Sequence, residues 1–209
     1  QTIGDPTEAA LLIAAARYNL LKDQLQAALP RLDEVPFDSE RKLMTTLHRF
    51  DRERLGDLSV IFEQPVTDAP YVSFTKGAVD NLLDICTHVW LDGQAHPLEG
   101  EWRARVEKAN NQMAGQGMRV LGVAARAWDE APPKSELENG LTLIGLFGMI
   151  DPPRPEVRDA VQTCQKAGIR PVMITGDHPL TAREIARQLG IIPADAAQAQ
   201  ALTGLDLSR

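Results

Sequence analysis

The stretch LTLIGLFGMIDPPRPEVRDAVQTCQKAGIRPVMITGDHPLTAREIARQLG, Leu141–Gly190, decides how the chain is organised. Its first ten residues form a continuous apolar run, the pattern of a strand buried on both faces. The run stops at Asp151–Pro155, where three prolines in five residues fix the backbone torsions. A helix then reads over Glu156–Ala167, an apolar strand over Arg170–Thr175, and a second helix over Leu180–Leu189 closed by Gly190. Strand, helix, strand, helix is the order of a parallel sheet with crossovers.

Upstream of Leu141 the grammar differs. GDPTEAALLIAAARYNL reads as a helix with Asp5 as N-cap, Pro6 at the first position and Glu8 at capping-box spacing. A short helix follows around Asp23–Leu29. Strands read over Leu43–Arg49, Leu58–Glu63 and Tyr71–Thr75, the last two as antiparallel neighbours across a Pro-bounded loop. Helices read over Ala78–Cys86 and Trp102–Ala114. MRVLGVAARAW reads as a strand, and Ala131–Gly140 as a polar loop. The expected fold class is therefore α/β: an α+β unit with an antiparallel sheet over residues 1–150, then a partial Rossmann-like unit over 151–209.

Composition narrows the function classes. A formal net charge of −7 over 209 residues argues against nonspecific nucleic-acid binding, which needs clustered basic surface. Cys86 and Cys164 lie far apart and form no CxxC, as in a reduced intracellular chain. Leu143–Ile150 is the longest apolar run and falls far short of the ~20 residues a membrane helix needs. The expectation is a soluble, cytoplasmic polypeptide.

Six short motifs follow one another: GDPTEAAL, PFDSERKLM, TKGA, GMRVLGVAAR, GMIDPPRPEV and MITGDHPLTA. Each is weak alone, and their order and spacing are specific. Together they resemble the nucleotide-binding and phosphorylation domains of P2-type cation-transporting ATPases, from Gly4 to about Leu207. GDPTE and FDSERKLM look most like the bacterial and secretory-pathway calcium pumps. The resemblance implies a piece of a pump that couples ATP hydrolysis, through an aspartyl phosphate, to cation transport. It implies ATP and Mg²⁺ as cofactors and a parent protein in a membrane. As partners it implies the remaining phosphorylation, actuator and transmembrane domains.

The resemblance also assigns residues, each with a plainer reading beside it. Phe37, blind, is a core or strand-edge aromatic; in the family it is the platform for adenine, and stacking on a ring contributes ~1–3 kcal/mol. Lys42 is a solvated charge or lines the pocket near the phosphate chain. Lys76, with Gly77, places a cation at a strand end beside open backbone; the family puts it in the adenine pocket floor. The chain continues with Val79-Asp80 where calcium and sodium pumps carry Pro-Glu. Glu8 either caps its helix or meets the adenine edge. Arg119 is a surface arginine or reaches the β-phosphate, a task suited to a guanidinium fork.

Thr175, Gly176 and Asp177 lie where α/β sheets place ligands, between a strand end and a helix start. Their plain reading is a turn in which Asp177 caps the next helix. The family reading gives Thr175 and Gly176 the γ-phosphoryl group and Asp177 a place near Mg²⁺. Asp151 and Arg154 flank a hinge that brings domains together over ATP. No metal-ligand set reads from the chain itself.

The chain contains no DKTGT, so the aspartate that takes the phosphoryl group is absent, as is GDGxND. A piece cut at both ends is expected, inactive alone, with unpaired strand edges after Pro155 that favour self-association. A haloacid-dehalogenase-type phosphatase would need DxDx[TV], which does not occur; a noncatalytic nucleotide-binding module is the other alternative. No GxxxxGK[ST] occurs, and GQGMRV lacks the final glycine of a dinucleotide fingerprint.

Overall fold

The computed structural model describes residues 6–55, 69–150, 153–193 and 202. Two helices, α1 (Pro6–Arg17) and α2 (Lys22–Ala28), precede a hairpin of β1 (Arg31–Asp38) and β2 (Leu43–Arg49). After a short α3 (Arg52–Leu55) come β3 (Tyr71–Gly77), α4 (Val79–Ile85), β4 (Cys86–Leu91) and β5 (Gln94–Pro97). The long α5 (Gly100–Ala114) leads to β6 (Arg119–Trp128), a 3₁₀ turn (Lys134–Glu136) and β7 (Leu141–Met149). Helices α6 (Pro155–Lys166) and α7 (Pro179–Gln188) follow.

The seven strands form one open sheet in the order β1-β2-β3-β6-β7-β4-β5. β1/β2, β2/β3, β3/β6 and β4/β5 pair antiparallel, and β4/β7 pair in parallel. The class is α/β, as the sequence predicts. Contacts divide the chain into two compact units: Gln1–Glu107 with Leu121–Phe147, and Lys108–Val120 with Gly148–Arg209.

Alternation explains the core of the first unit. Leu43, Thr45 and Leu47 are buried on β2, and the residues between them are half-buried. One cluster gathers Leu47, Trp128 and Leu137, with Val35 and Tyr71 against it. Another gathers Ala28, Leu29, Phe50, Leu55, Val72 and Ala125, with Phe74 against it. The buried hydroxyls are paired: Thr45 with Thr75 at 2.9 Å, and Ser73 with the Trp128 indole N–H at 2.9 Å. Among the described residues no buried side-chain nitrogen or oxygen lacks a partner, as a low-dielectric interior requires.

Two expectations change. The run Leu141–Ile150 contains β7 but is not buried on both faces: Leu141 and Leu143 are buried, whereas Ile144, Phe147 and, just past the strand, Ile150 are exposed. Its parallel register with β4 covers only Leu141–Leu143, so later side chains have no neighbour on that side. Residues Arg170–Thr175 form no strand. Their backbone has no ladder partner among the described residues, and Ile174 is 94% exposed. A strand exists only as part of a ladder.

Two elements escape the sequence reading. Arg31–Asp38, to which the sequence reading assigns no element, is β1. Between Cys86 and Trp102 lies the β4–β5 hairpin, turned by Asp92 (φ 51°) and Gly93 (φ 77°). Both central residues at positive φ make a type I′ turn, for which Asp-Gly is a strong sequence signal. The strand expected over Leu58–Glu63 and the cap expected at Asp5 lie outside the described residues.

Candidate functional site

In the first unit, the β1–β2 turn builds the site. Asp38 Oδ1 accepts from the backbone N–H groups of Glu40 and Arg41, each at 2.9 Å. The donations from Arg41 and Glu40 hold the Asp38 carboxyl below the usual carboxylate range. Lys42 closes the turn with φ 53°, left-handed and unfavourable for a residue with a Cβ. Its carbonyl accepts from Ala78 N–H at 3.1 Å, tying the turn to the end of β3.

That contact explains Gly77. A Cβ there would stand 2.2 Å from the Lys42 carbonyl oxygen. Gly77 is buried, so its first role is close packing of two backbones rather than open backbone for a ligand.

Register brings the other residues together. β1 and β2 pair at Val35↔Thr45 and again at Asp38↔Leu43, so Pro36 and Phe37 together oppose Met44. This is a bulge, a place that tolerates proline and re-aims a side chain. Phe37 is 62% exposed. Met44 in turn pairs with Lys76. Phe37, Met44 and Lys76 thus occupy one row across three strands, and neighbouring strands lie about 4.8 Å apart.

The Lys76 ammonium is ion-paired with the Glu8 carboxylate. α1 thus presents the Glu8 side chain to β3; Asp5, the position its capping reading would serve, lies outside the described residues. Glu8, Phe37 and Lys76, far apart in sequence, are therefore neighbours or row-mates. Lys42 lies exposed at the mouth of the same hairpin.

The second unit holds the rest. Arg119 opens β6, and both its Nε (3.1 Å) and Nη2 (2.9 Å) donate to Asp177 Oδ1. Thr175 Oγ1 donates to Asp177 Oδ2 at 2.8 Å, and Asp177 N–H donates back to Thr175 Oγ1 at 3.1 Å. Asp177 is thus committed to Arg119 and Thr175 and is not the cap of α7. That position belongs to His178, whose Nδ1 accepts from Leu180 N–H at 3.3 Å. Around Gly176, the space where a Cβ would stand is open.

Arg154 is the N-cap residue of α6, with Pro155 at the first helical position. Asp151 lies outside the described residues.

Sequence reasoning missed three contributors. Thr181, buried at the start of α7, donates to the Met118 carbonyl at 2.7 Å and so anchors the residue beside Arg119. His178 caps α7. Glu138, from a loop read only as polar, accepts from Arg41 and from Thr45 Oγ1, the latter at 2.9 Å. A hydroxyl three residues into a helix and an acid in a loop carry no local signal; only the fold supplies their partners.

The open, mostly antiparallel sheet with flanking helices is an α/β architecture consistent with a nucleotide-binding domain. The family model described as P-type ATPase, cytoplasmic domain N, matches residues 1–156. The chain belongs to that family. It is 43% identical over 189 residues to a calcium-transporting ATPase of Bacillus cereus, covering 90% of this chain and 19% of that protein. To the calcium-transporting ATPase of Bacillus subtilis it is 40% identical over 193 residues, 91% of this chain and 20% of the relative. To a probable cation-transporting ATPase of Mycobacterium tuberculosis it is 36% identical over 213 residues, 100% of this chain and 21% of the relative. The chain spans about a fifth of the length of these relatives. Among the described residues, no helix is long and apolar enough to cross a membrane.

Proposed function

We propose that this chain is the ATP-binding part of a membrane cation pump, with residues 1–150 holding the nucleotide and 151–209 contributing to phosphoryl transfer. The carrying observation is the bulge that leaves Phe37 exposed in the row that contains Lys76. A soluble domain gains by burying a phenylalanine; one held at a bulge beside a cation suits the face of a base with an anion nearby. The names of the relatives favour calcium as the transported ion.

In this reading adenine stacks on Phe37, with Lys76 and Glu8 at its edge and Lys42 toward the phosphates. Arg119 exchanges its carboxylate partner for the β-phosphate, which frees Asp177. Thr175 and the open backbone at Gly176 face the γ-phosphoryl group, and Arg154, with Asp151, takes part in domain closure. Mg²⁺ neutralises phosphate charge when bound. Among the described residues no group of three or more His, Cys, Asp or Glu forms a ready metal cage. Asp177 is the carboxylate that would stand beside such an ion, held chiefly by phosphate oxygens and water. The acceptor aspartate and the membrane helices belong to the rest of the pump.

Calorimetric titration of the chain with ATP tests the proposal. One stack and a few charge-assisted contacts correspond to a dissociation constant of roughly 0.05–1 mM. Phosphate release by the chain alone is expected to be nil. No heat at millimolar ATP would defeat the reading.

A further inference from the structure

We infer that Glu138 is a positioning residue for the nucleotide platform, acting through Arg41 on the bulge that presents Phe37. The inference rests on the nucleotide reading above and deepens it. Phe37 is too exposed for its own packing to fix its angle. Its flanking residues supply the restraint. Arg41 Nη2 donates to the Pro36 carbonyl at 2.9 Å, immediately before Phe37. Arg41 N–H donates to Asp38 Oδ1 at 2.9 Å, immediately after it. One arginine therefore grips both sides of the platform residue.

Glu138 decides where that arginine stands. Its Oε2 accepts from Arg41 Nη1. Its Oε1 accepts from Thr45 Oγ1 at 2.9 Å, and Thr45 is itself locked to Thr75 in the buried sheet. The Glu138 side chain is 18% exposed and that of Arg41 36%. The pair is thus better shielded from water and salt than an ordinary surface ion pair. The chain of contacts runs from the rigid sheet through Thr45, Glu138 and Arg41 to the carbonyl of Pro36. A guanidinium can serve a carboxylate and a carbonyl at once because its donors form a planar fork.

A purely structural clasp between loop and hairpin makes a different prediction, and a double-mutant cycle separates the two. ATP affinity and melting temperature are measured by calorimetry on the whole chain, on Phe37→Ala, on Glu138→Gln and on the double variant. Glu138→Gln keeps the side chain's shape and an acceptor for Thr45. It is expected to weaken ATP binding about threefold to tenfold when Phe37 is present and less than about twofold in the Phe37→Ala background. At saturating ATP, the ring-current shift of the adenine H2 and H8 protons should shrink in Glu138→Gln. Arg41→Lys, which keeps the charge but cannot bridge Glu138 and Pro36 together, is read the same way should Glu138→Gln fold poorly.

Equal losses in both backgrounds, or a melting shift with unchanged affinity and unchanged adenine shifts, overturn the positioning role. If Phe37→Ala weakens binding and Glu138→Gln does not, the platform stands and the positioning role alone falls. If Phe37→Ala leaves affinity unchanged, the platform itself is refuted, and the positioning role with it.

Discussion

Replacing Phe37 by alanine should separate binding from stability. Full burial of a phenylalanine side chain stabilises a fold by about 1.5–3 kcal/mol. Phe37 is 62% exposed, so its truncation forfeits only about a third of that, roughly 0.5–1 kcal/mol. For a domain of this size such a change lowers the melting temperature by about 1–4 °C. The same ring, used as a stacking platform, is worth about 1–3 kcal/mol to a bound base, or roughly 5- to 150-fold in affinity. The binding loss should therefore exceed the folding loss. Calorimetric titration with ATP, paired with thermal melts of the free proteins, measures both. A variant that melts more than about 8 °C lower yet binds ATP like the parent would show that Phe37 is a packing residue after all.

Further outcomes follow from other contacts. Lys42→Asn places a residue that tolerates left-handed backbone at φ 53°; stability should hold or rise by up to about 1 kcal/mol while ATP affinity falls, as melts and titrations will read. Glu8→Ala breaks an exposed ion pair with Lys76 and should lower stability by less than about 1 kcal/mol, with the difference from the parent vanishing in melts at high salt. Burial, opposed by the Leu29 carbonyl and aided by Arg31, depresses the pKa of His48. The fold thus favours the neutral ring, a contribution present above the unfolded value of about 6.5 and lost as pH falls through the folded value. The melting temperature should accordingly fall more steeply from pH 7 to pH 5 in the parent than in His48→Gln. Burial pushes the Cys86 thiol up to about 12, so a thiol reagent at pH 8 should leave Cys86 unmodified in the folded chain and modify it after unfolding.

Much of the fold was legible because periodicity and punctuation agree with it. Leu43–Arg49 reads as a strand and is β2, since its alternating apolar residues face a core that exists. The α7 helix is announced by Pro179 and ended at Gly190, whose φ is 75°. What failed is non-local. An unbroken apolar run predicts burial on both faces, yet in β7 Leu141 and Leu143, within the register with β4, are buried while Ile144 and Phe147 beyond it are exposed. The run IRPVMIT has strand composition, but composition provides no ladder. β1 was hidden because Pro36 speaks against a central strand; it lies at a bulge on the sheet's end strand, where proline is allowed.

The site divides along the same line. Residue types at motif positions pointed to Phe37, Lys76, Arg119 and Asp177, and nothing in the chain's local order said how they would be partnered. The structure adds that each charged member already holds an opposite charge: Lys76 has Glu8, and Arg119 has Asp177. A polyanion approaching either pair meets a cation whose present partner is a carboxylate it must displace. Some of the phosphate attraction is thereby offset, which favours the sub-millimolar to millimolar range over tight binding. Among the described residues, the exposed ring of Phe37 faces no such displacement, since a ring holds no ion-pair partner. Base stacking should accordingly dominate the affinity, and the charged residues should set orientation and salt dependence. On this argument the affinity loss from Phe37→Ala should exceed that from Lys76→Met at physiological salt, and the gap should narrow as salt is lowered. Titrations of both variants at two ionic strengths would expose the reverse order.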